Sequence, residues 1–242
     1  MKPYSAFFIG MLLLVTSCSR KQESAPLPKP TAFGAAIVES SGGKQFAQTG
    51  ALLPQPVVVQ VNDAQGTAVA GALVEFTAAP GVIFDPASGL SDSSGQVATN
   101  VCLGGMAGRY QLTAATLDKS HKKVEVKIVE IALGYQQTLG RHLNDQYCER
   151  CHNPESTVER VSNYDNLEVK PHPFTEGDTL NKMSDADLTA IISHGGPALN
   201  KSALMPAWGN TLSKSDIQAL ISYIRAVSDP PSRNAGPVYA KN

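Results

Sequence analysis

A hydrophobic run long enough to cross a membrane as a helix is missing from this 242-residue sequence. The apolar run at 6–15 has ten residues. A helix needs roughly twenty to span the hydrocarbon core of a bilayer. Because Lys2 precedes this run and the charged stretch 20–23 follows it, we interpret it as a signal peptide rather than a membrane span.

An excess of charge of one sign is missing as well. The chain has 20 Lys and Arg against 21 Asp and Glu, a formal net charge of −1. The stretch 134–228 has eight basic and eleven acidic residues and is mildly acidic. Since a basic stripe is the electrostatic footprint of nucleic-acid binding, we expect no nucleic-acid partner.

Cysteine is scarce, with four residues in the chain, and two of them lie in one short motif. Cys148, Cys151 and His152 form the pattern C-x-x-C-H, the attachment signature of a c-type haem. Two thiols about one helical turn apart can add to the two vinyl groups on one edge of a porphyrin. The histidine then lies beneath the iron as an axial ligand. We therefore expect one covalently attached haem c.

Two other uses of a C-x-x-C pair are disfavoured by the rest of the sequence. A structural zinc site needs four ligands, commonly supplied by two such pairs, and the sequence has no second pair. A thioredoxin-like redox pair would lie in a βαβ context, which the neighbouring sequence does not offer.

Cys18 ends the segment Val15-Thr16-Ser17-Cys18, which resembles the bacterial lipobox. We expect Cys18 to be lipidated and to anchor the exported chain to a membrane on its periplasmic side. An ordinary signal peptide with an incidental cysteine is the alternative. Ser19, rather than Asp, follows the cysteine and favours the outer membrane under the sorting rule of enteric bacteria.

The hydrophobic periodicity of the sequence changes near Gly134. Strand-like runs precede this glycine and helical periodicities follow it, so we predict a β-sandwich domain at 34–131 and an all-α domain at 134–228. The proline-rich segment 19–33 is predicted to be a linker, and 229–242 a flexible tail.

Five β-type runs separated by turn residues predict the sandwich. They are 57–61, 72–78, 96–103, 109–115 and 122–131. With its Asp-x-x-Gly turns at Asp63–Gly66 and Asp92–Gly95, nearly all of 34–131 resembles the bacterial Ig-like domains of the invasin and intimin type. Alternation places Cys102 on the face opposite Val97 and Val101, where we expect an inert, half-exposed thiol.

Three helices are predicted after Gly134. One helical face leading into Cys148 is indicated by residues four positions apart: Tyr135, Leu139, Leu143 and Tyr147. Capping patterns at Ser184 and Ser213 begin the other two helices. His194-Gly195-Gly196 ends the first of these, and Asp229-Pro230-Pro231 ends the second.

The whole of 134–228 resembles a class I c-type cytochrome, in which a helix ending in C-x-x-C-H crosses a C-terminal helix. Gly140 matches the close-contact glycine of that family, and Leu220 with Tyr223 match its partners on the last helix. Asn144 departs from the family, which has an aromatic residue there. The resemblance then leaves that contact to Leu143 or Tyr147.

Met205 is the expected second axial ligand, because Leu204-Met205-Pro206-Ala207-Trp208-Gly209 resembles the Met-Pro-x-aromatic-Gly segment of that family. A thioether ligand favours ferrous iron and raises the reduction potential. The alternative for Met205 is a buried loop methionine. Phe174, in a proline-rich loop similar to one that flanks the haem in related cytochromes, and Trp208 are expected to contact the haem.

Other side chains are weaker ligand candidates. His172 lies between two prolines in an extended loop, and His194 at a helix end is expected to be solvated or to cap the helix. His142 is less favoured, His121 belongs to the other domain, and Met183 is expected to pack rather than to ligate.

Two protein ligands leave the iron no open position for a substrate, so the resemblance implies electron transfer rather than enzymatic catalysis. We expect exported or membrane-bound redox proteins as electron donor and acceptor, and a spacer or docking role for the Ig-like domain. A haem enzyme or a gas or redox sensor is the alternative if Met205 is not bound. An adhesion or assembly protein with an accessory cytochrome is the third possibility.

Overall fold

A computed structural model describes residues 28–153, 162–230 and 232. Strands lie between residues 36 and 133, and helices lie between residues 135 and 227. The predicted fold class, an all-β sandwich followed by a small all-α domain, is confirmed. Cys18 and the lipobox fall outside the described residues. No helix in the described part of the chain has the length and hydrophobicity needed to cross a membrane.

The sandwich consists of two sheets built from nine strands in the described residues. The strands are β1 (Ala36–Ser41), β2 (Phe46–Gln48), β3 (Val57–Asn62), β4 (Leu73–Ala78), β5 (Ile83–Asp85), β6 (Ser88–Leu90), β7 (Gln96–Cys102), β8 (Gly108–Leu117) and β9 (Lys123–Leu133). One sheet has the order β1-β3-β7-β5 and the other the order β2-β9-β8-β4-β6. Strand β2 pairs with β9 in parallel, and the other strand pairs are antiparallel.

The core of the sandwich follows from alternation along the strands. In β3, Val57, Val59 and Val61 are fully buried, whereas Val58 and Gln60 between them are half-buried. Each buried valine contributes roughly 1.5–3 kcal/mol to the hydrophobic free energy of folding. All five predicted strands are present as β3, β4, β7, β8 and β9. The short or edge strands β1, β2, β5 and β6 were not predicted from the sequence.

Cys102 differs from its prediction. It does lie opposite Val101 on β7, but it is 5% exposed rather than half-exposed. The chain at Gly50–Leu52 covers it: Leu52 bridges to Cys102, and the Cys102 Sγ lies 3.4 Å from the carbonyl oxygen of Gly50. A loop outside the strand pattern thus buries the second face of this strand.

The helical domain contains α1 (Tyr135–Leu143), a π-helical turn (Asn144–Cys148), α2 (Glu149–His152), α3 (Gly177–Leu180), α4 (Asp185–His194) and α5 (Lys214–Val227), with short 3₁₀ turns at Tyr164–Asn166 and Gly196–Leu199. Both predicted capping boxes are present. The Ser184 hydroxyl accepts from the Asp187 amide, and the Ser213 hydroxyl accepts from the Asp216 amide.

The predicted helical face is buried only in its second half, where Leu143 and Tyr147 are half-buried. Tyr135 is 91% exposed and Leu139 is 36% exposed. The buried positions are Gly140, Asn144 and Cys148, again four residues apart. This face is buried because Gly140 of α1 packs closely against α5. A Cβ at Gly140 would collide with the Ala219 carbonyl group and lie 2.7 Å from the Tyr223 Cβ, so the predicted contact with Tyr223 is present.

The two domains meet on the outer face of the second sheet. Ile131 and Leu133 of β9 pack against Tyr223, Ala226 and Val227 of α5, and we call these five residues the interface cluster. On the other side of α5 lies the helical core, which consists of Cys148, Leu180, Leu188, Ile192, Leu212, Ile217, Leu220, Ile221 and Ile224. Helix α5 therefore belongs to both apolar clusters.

Candidate haem site

The two motif cysteines lie at the end of the π-helical turn and in α2. Cys148 is 8% exposed within the helical core, and Cys151 is half-buried. Burial, with a smaller contribution from neighbouring Cys151, raises the pKa of the Cys148 thiol to about 12. A reactive thiol of a disulfide oxidoreductase has a lowered pKa instead. The pKa of Cys148 thus shifts in the opposite direction to that of a reactive oxidoreductase thiol.

His152 is held in one orientation by a backbone acceptor. Its Nδ1 atom lies 2.8 Å from the carbonyl oxygen of His172. A carbonyl oxygen can only accept, so Nδ1 carries the proton and the lone pair of the neutral ring lies on Nε2. Burial lowers the pKa of His152, which favours the neutral ring. The arrangement leaves Nε2 as the nitrogen suited to bind a metal.

The acceptor loop 171–177 has two roles at the site. The His172 side chain is exposed and its Nδ1 lies 3.0 Å from Glu176 Oε2, so its contact with His152 is made through the backbone. The Phe174 ring lies 4.8 Å from the His152 ring, measured between centroids. Sequence reasoning placed Phe174 near the haem but missed the carbonyl. Prolines on both sides of His172, which favour an extended backbone, were the available signal.

Met205 lies at the helical core, in a loop that is hydrogen-bonded to the end of α4. It is half-buried and packs against the helical core, which includes Cys148. Its carbonyl accepts from the Gly196 amide at 3.1 Å, and the Trp208 amide donates to the Ile192 carbonyl at 2.9 Å. Because Gly195 has φ +81° and its Cβ would lie 2.8 Å from the Met205 carbonyl oxygen, glycine permits this close approach.

Aromatic side chains complete the apolar surroundings. Trp208 and Tyr147 are half-buried, with ring centroids 5.2 Å apart, and both pack against the helical core. Leu143 packs there too, so both residues proposed to replace an aromatic at Asn144 contact this core. Asn144 itself is 8% exposed and donates to Asp145 Oδ1 at 3.1 Å.

The remaining candidates lie elsewhere or pack as side chains. His194 is exposed at the end of α4, and His142 is exposed at the end of α1. His121 lies in the β8–β9 turn beside Phe33, with ring centroids 5.3 Å apart. Met183 packs against the helical core, as expected for a structural methionine.

The residues present fit a c-type haem. Cys148 and Met205 belong to one apolar cluster with aromatic rings, and His152, with its available Nε2, lies beside Phe174 of that cluster. Within 28–153, 162–230 and 232, no group of three or more His, Cys, Asp or Glu residues could hold a metal ion. A zinc site built from such ligands therefore has no support in the described residues.

Several solved structures are similar to part of this chain. The D00-D0 domain of intimin is 15% identical with a TM-score of 0.32, and the match covers 44% of this chain and 50% of that one. The E. coli chaperone DraB is 8% identical with a TM-score of 0.32, over 46% and 63% of the two chains. The Yersinia pseudotuberculosis adhesin InvE is 12% identical with a TM-score of 0.28, over 42% and 32%.

No curated protein matches this chain. The helical part does match the sequence model of a family: residues 136–224 match the one described as cytochrome C oxidase, cbb3-type, subunit III. The matched region contains the C-x-x-C-H motif, the acceptor loop and the Met205 loop. Residues 136–224 are thus similar to a haem-binding cytochrome c domain, here carried behind a β-sandwich.

Proposed function

We propose that this protein is a membrane-tethered, mono-haem c-type cytochrome that carries single electrons between exported or membrane-bound redox proteins. The observation that carries the proposal is the bond from His152 Nδ1 to the His172 carbonyl, which leaves Nε2 for iron beside the core where Met205 packs. The bound haem supplies an iron that alternates between the ferrous and ferric states.

Each side chain of the site has a distinct role in this proposal. Cys148 and Cys151 would hold the porphyrin by thioether bonds, while His152 and Met205 would bind the iron. Phe174 and Trp208 would pack against the bound haem and exclude water from it. With both side chains bound, the iron would have no open position for a substrate, which favours electron transfer over the alternative of an enzyme or gas sensor.

Absorption spectroscopy of the ferric protein tests the distal ligand. Methionine ligation produces a weak deep-red absorption band, so we expect this band in the wild type and its loss in Met205→Ala. Met183→Ala is the matched control, because Met183 packs against the same helical core. A high-spin ferric wild type without the band would contradict the carrier proposal and favour an open-site haem protein.

The lipid anchor and the compartment belong to the same proposal. Lipidation at Cys18 would hold the protein on the periplasmic side of a membrane, with the outer membrane favoured by Ser19. The sandwich would then act as a spacer or docking module between that anchor and the haem domain. Electron delivery by the anchored protein and by a form without the anchor would separate a role at the membrane from one in solution.

A further inference from the structure

We propose that Arg109 of the sandwich is a positioning residue for His152. It fixes the segment to which the acceptor loop 171–177 is bonded, and so the carbonyl that orients the imidazole. This inference rests on the proposed function, because it assigns a role in tuning the iron to a residue of the other domain. It changes the sandwich from a passive spacer into a structural part of the redox site.

Arg109 lies on β8 and points toward the end of α5. It is 9% exposed, and its guanidinium donates from Nε to the Ser228 carbonyl at 3.2 Å and from Nη2 to the Val227 carbonyl at 3.1 Å. Its Nη1 lies 3.5 Å from Asp229 Oδ2. A cation at the end of a helix interacts favourably with the helix dipole and satisfies carbonyls left without helical partners.

The segment held by Arg109 is bonded in turn to the acceptor loop. The Asp229 amide donates to the Thr175 carbonyl at 2.8 Å, and the Gly177 amide donates to the Asp229 carbonyl at 3.0 Å. The approach is close, because a Cβ at Gly177 would collide with the Pro230 carbonyl oxygen. These two backbone bonds tie residues 175–177 to the end of the helix that Arg109 holds.

The acceptor loop then meets His152 at two points. The His172 carbonyl accepts from Nδ1, and the Phe174 ring packs beside the imidazole ring. Phe174 packs against both the helical core and the interface cluster. Contacts therefore run without a gap from Arg109 through residues 227–229 and 174–177 to His152.

This arrangement has a consequence for the reduction equilibrium. A firm bond from Nδ1–H to a carbonyl raises the basicity of a ligating imidazole and stabilises the ferric state. If the acceptor loop becomes more mobile, the bond from His152 to the His172 carbonyl weakens and the population of the ferrous state rises. A residue that only fastened the two domains together would leave this equilibrium unchanged.

The test compares the full-length haem-loaded wild type with Arg109→Gln, Arg109→Lys and Arg141→Gln. Arg141 is the matched control, because its guanidinium carbon lies 4.0 Å from the centroid of the Phe46 ring, across the same domain boundary but outside the contacts of residues 227–229. Redox titration gives the reduction equilibrium, and amide hydrogen exchange follows Gly177 and Asp229.

We expect Arg109→Gln to shift the reduction equilibrium by about threefold toward the ferrous form, a small effect because Arg109 acts on the ligating ring through the acceptor loop and not directly. Exchange at Gly177 and Asp229 should accelerate in the same variant. Arg109→Lys, which keeps the charge but not the forked donors, should fall between this variant and the wild type. Arg141→Gln should leave both readouts at wild-type values.

Faster exchange at both amides with an unchanged reduction equilibrium would overturn the proposal and leave Arg109 a fastening role only. If Arg109→Gln does not fold, Arg109→Lys tests the proposal by the same two measurements, the reduction equilibrium and amide exchange at Gly177 and Asp229. The wild-type spectrum separates this inference from the proposed function. A wild type without methionine ligation would overturn the carrier assignment. The effect of Arg109 on His152 would still be measured, because the redox titration and hydrogen exchange of the Arg109 variants do not depend on the methionine.

Discussion

Gly140 of α1 lies directly against Ala219 of α5, so closely that a Cβ on the glycine would collide with the alanine carbonyl. The contact joins the helix that precedes the haem motif to the last helix of the domain. Gly140 was predicted from the family resemblance, whereas its carbonyl neighbour Ala219 was not.

Gly140→Ala is therefore expected to destabilise the helical domain. Alanine gains about 1 kcal/mol in helix propensity over glycine. Overpacking costs typically about 1–3 kcal/mol, and because backbone atoms cannot move aside the upper end applies, which leaves a net loss of about 2 kcal/mol. Denaturant unfolding of the haem-loaded protein measures it. Gly105→Ala is the control, because a Cβ there meets no atom within 4 Å. Equal stability of the two variants would contradict the close-packing explanation.

Gly196→Ala should displace the Met205 loop. The Gly196 amide donates to the Met205 carbonyl, and a Cβ at this position would collide with the Ser202 carbonyl. We expect the deep-red ferric band to be lost or strongly reduced. Ser213→Ala is the control, since it removes the α5 cap at a cost of about 1 kcal/mol without touching that loop. A band retained in Gly196→Ala would show that the loop tolerates the change.

Glu130 should make the sandwich less stable as the pH rises. It is fully buried, and burial, together with the nearby Glu39 charge, raises its pKa from 4.5 to about 8, although a bond from the Gln45 amide opposes the shift. Between pH 4.5 and 8 the unfolded chain has lost this proton while the folded chain keeps it. Stability therefore falls across this window, by an amount on the order of a few kcal/mol, and levels off above it.

Glu130→Gln tests this effect, because the amide side chain has a similar shape and does not ionise. The slope of stability against pH in that window should flatten in the variant. Glu125→Gln, an exposed position on the same strand, should keep the wild-type slope. The assignment fails if the wild type and Glu130→Gln have parallel pH profiles.

Lipidation of Cys18 predicts a hydrophobic protein that enters the detergent phase on phase separation. Cys18→Ala should remain in the aqueous phase, and Ser19→Asp should keep the lipid while moving the protein toward the inner membrane if the enteric sorting rule applies. Intact mass spectrometry identifies the modification. An unmodified Cys18 would contradict the lipobox prediction.

The longer strands were predictable because alternation over five or more residues has one structural solution, as Val57, Val59 and Val61 illustrate. Strands β2, β5 and β6, with three residues each, are too short to carry a pattern. The same limit applies to Cys102, which is covered by a loop rather than by its own strand.

The haem motif and the Met205 loop were predictable because the identity and spacing of their side chains are visible in the sequence. The His172 carbonyl was not, because every residue has a carbonyl and only the fold decides which one faces His152. Arg109 escaped prediction for a similar reason: its acceptors are the carbonyls of Val227 and Ser228, more than a hundred positions away.

Helix α5 follows, in the sequence, every element against which it packs. Nine of its fourteen residues are buried, between α1 and the helical core on one side and β9 on the other. During synthesis and export, the helical core therefore cannot form until α5 is present. We expect nascent chains shorter than about 227 residues to remain open at the C-x-x-C-H motif, which leaves both cysteines accessible to the haem attachment machinery.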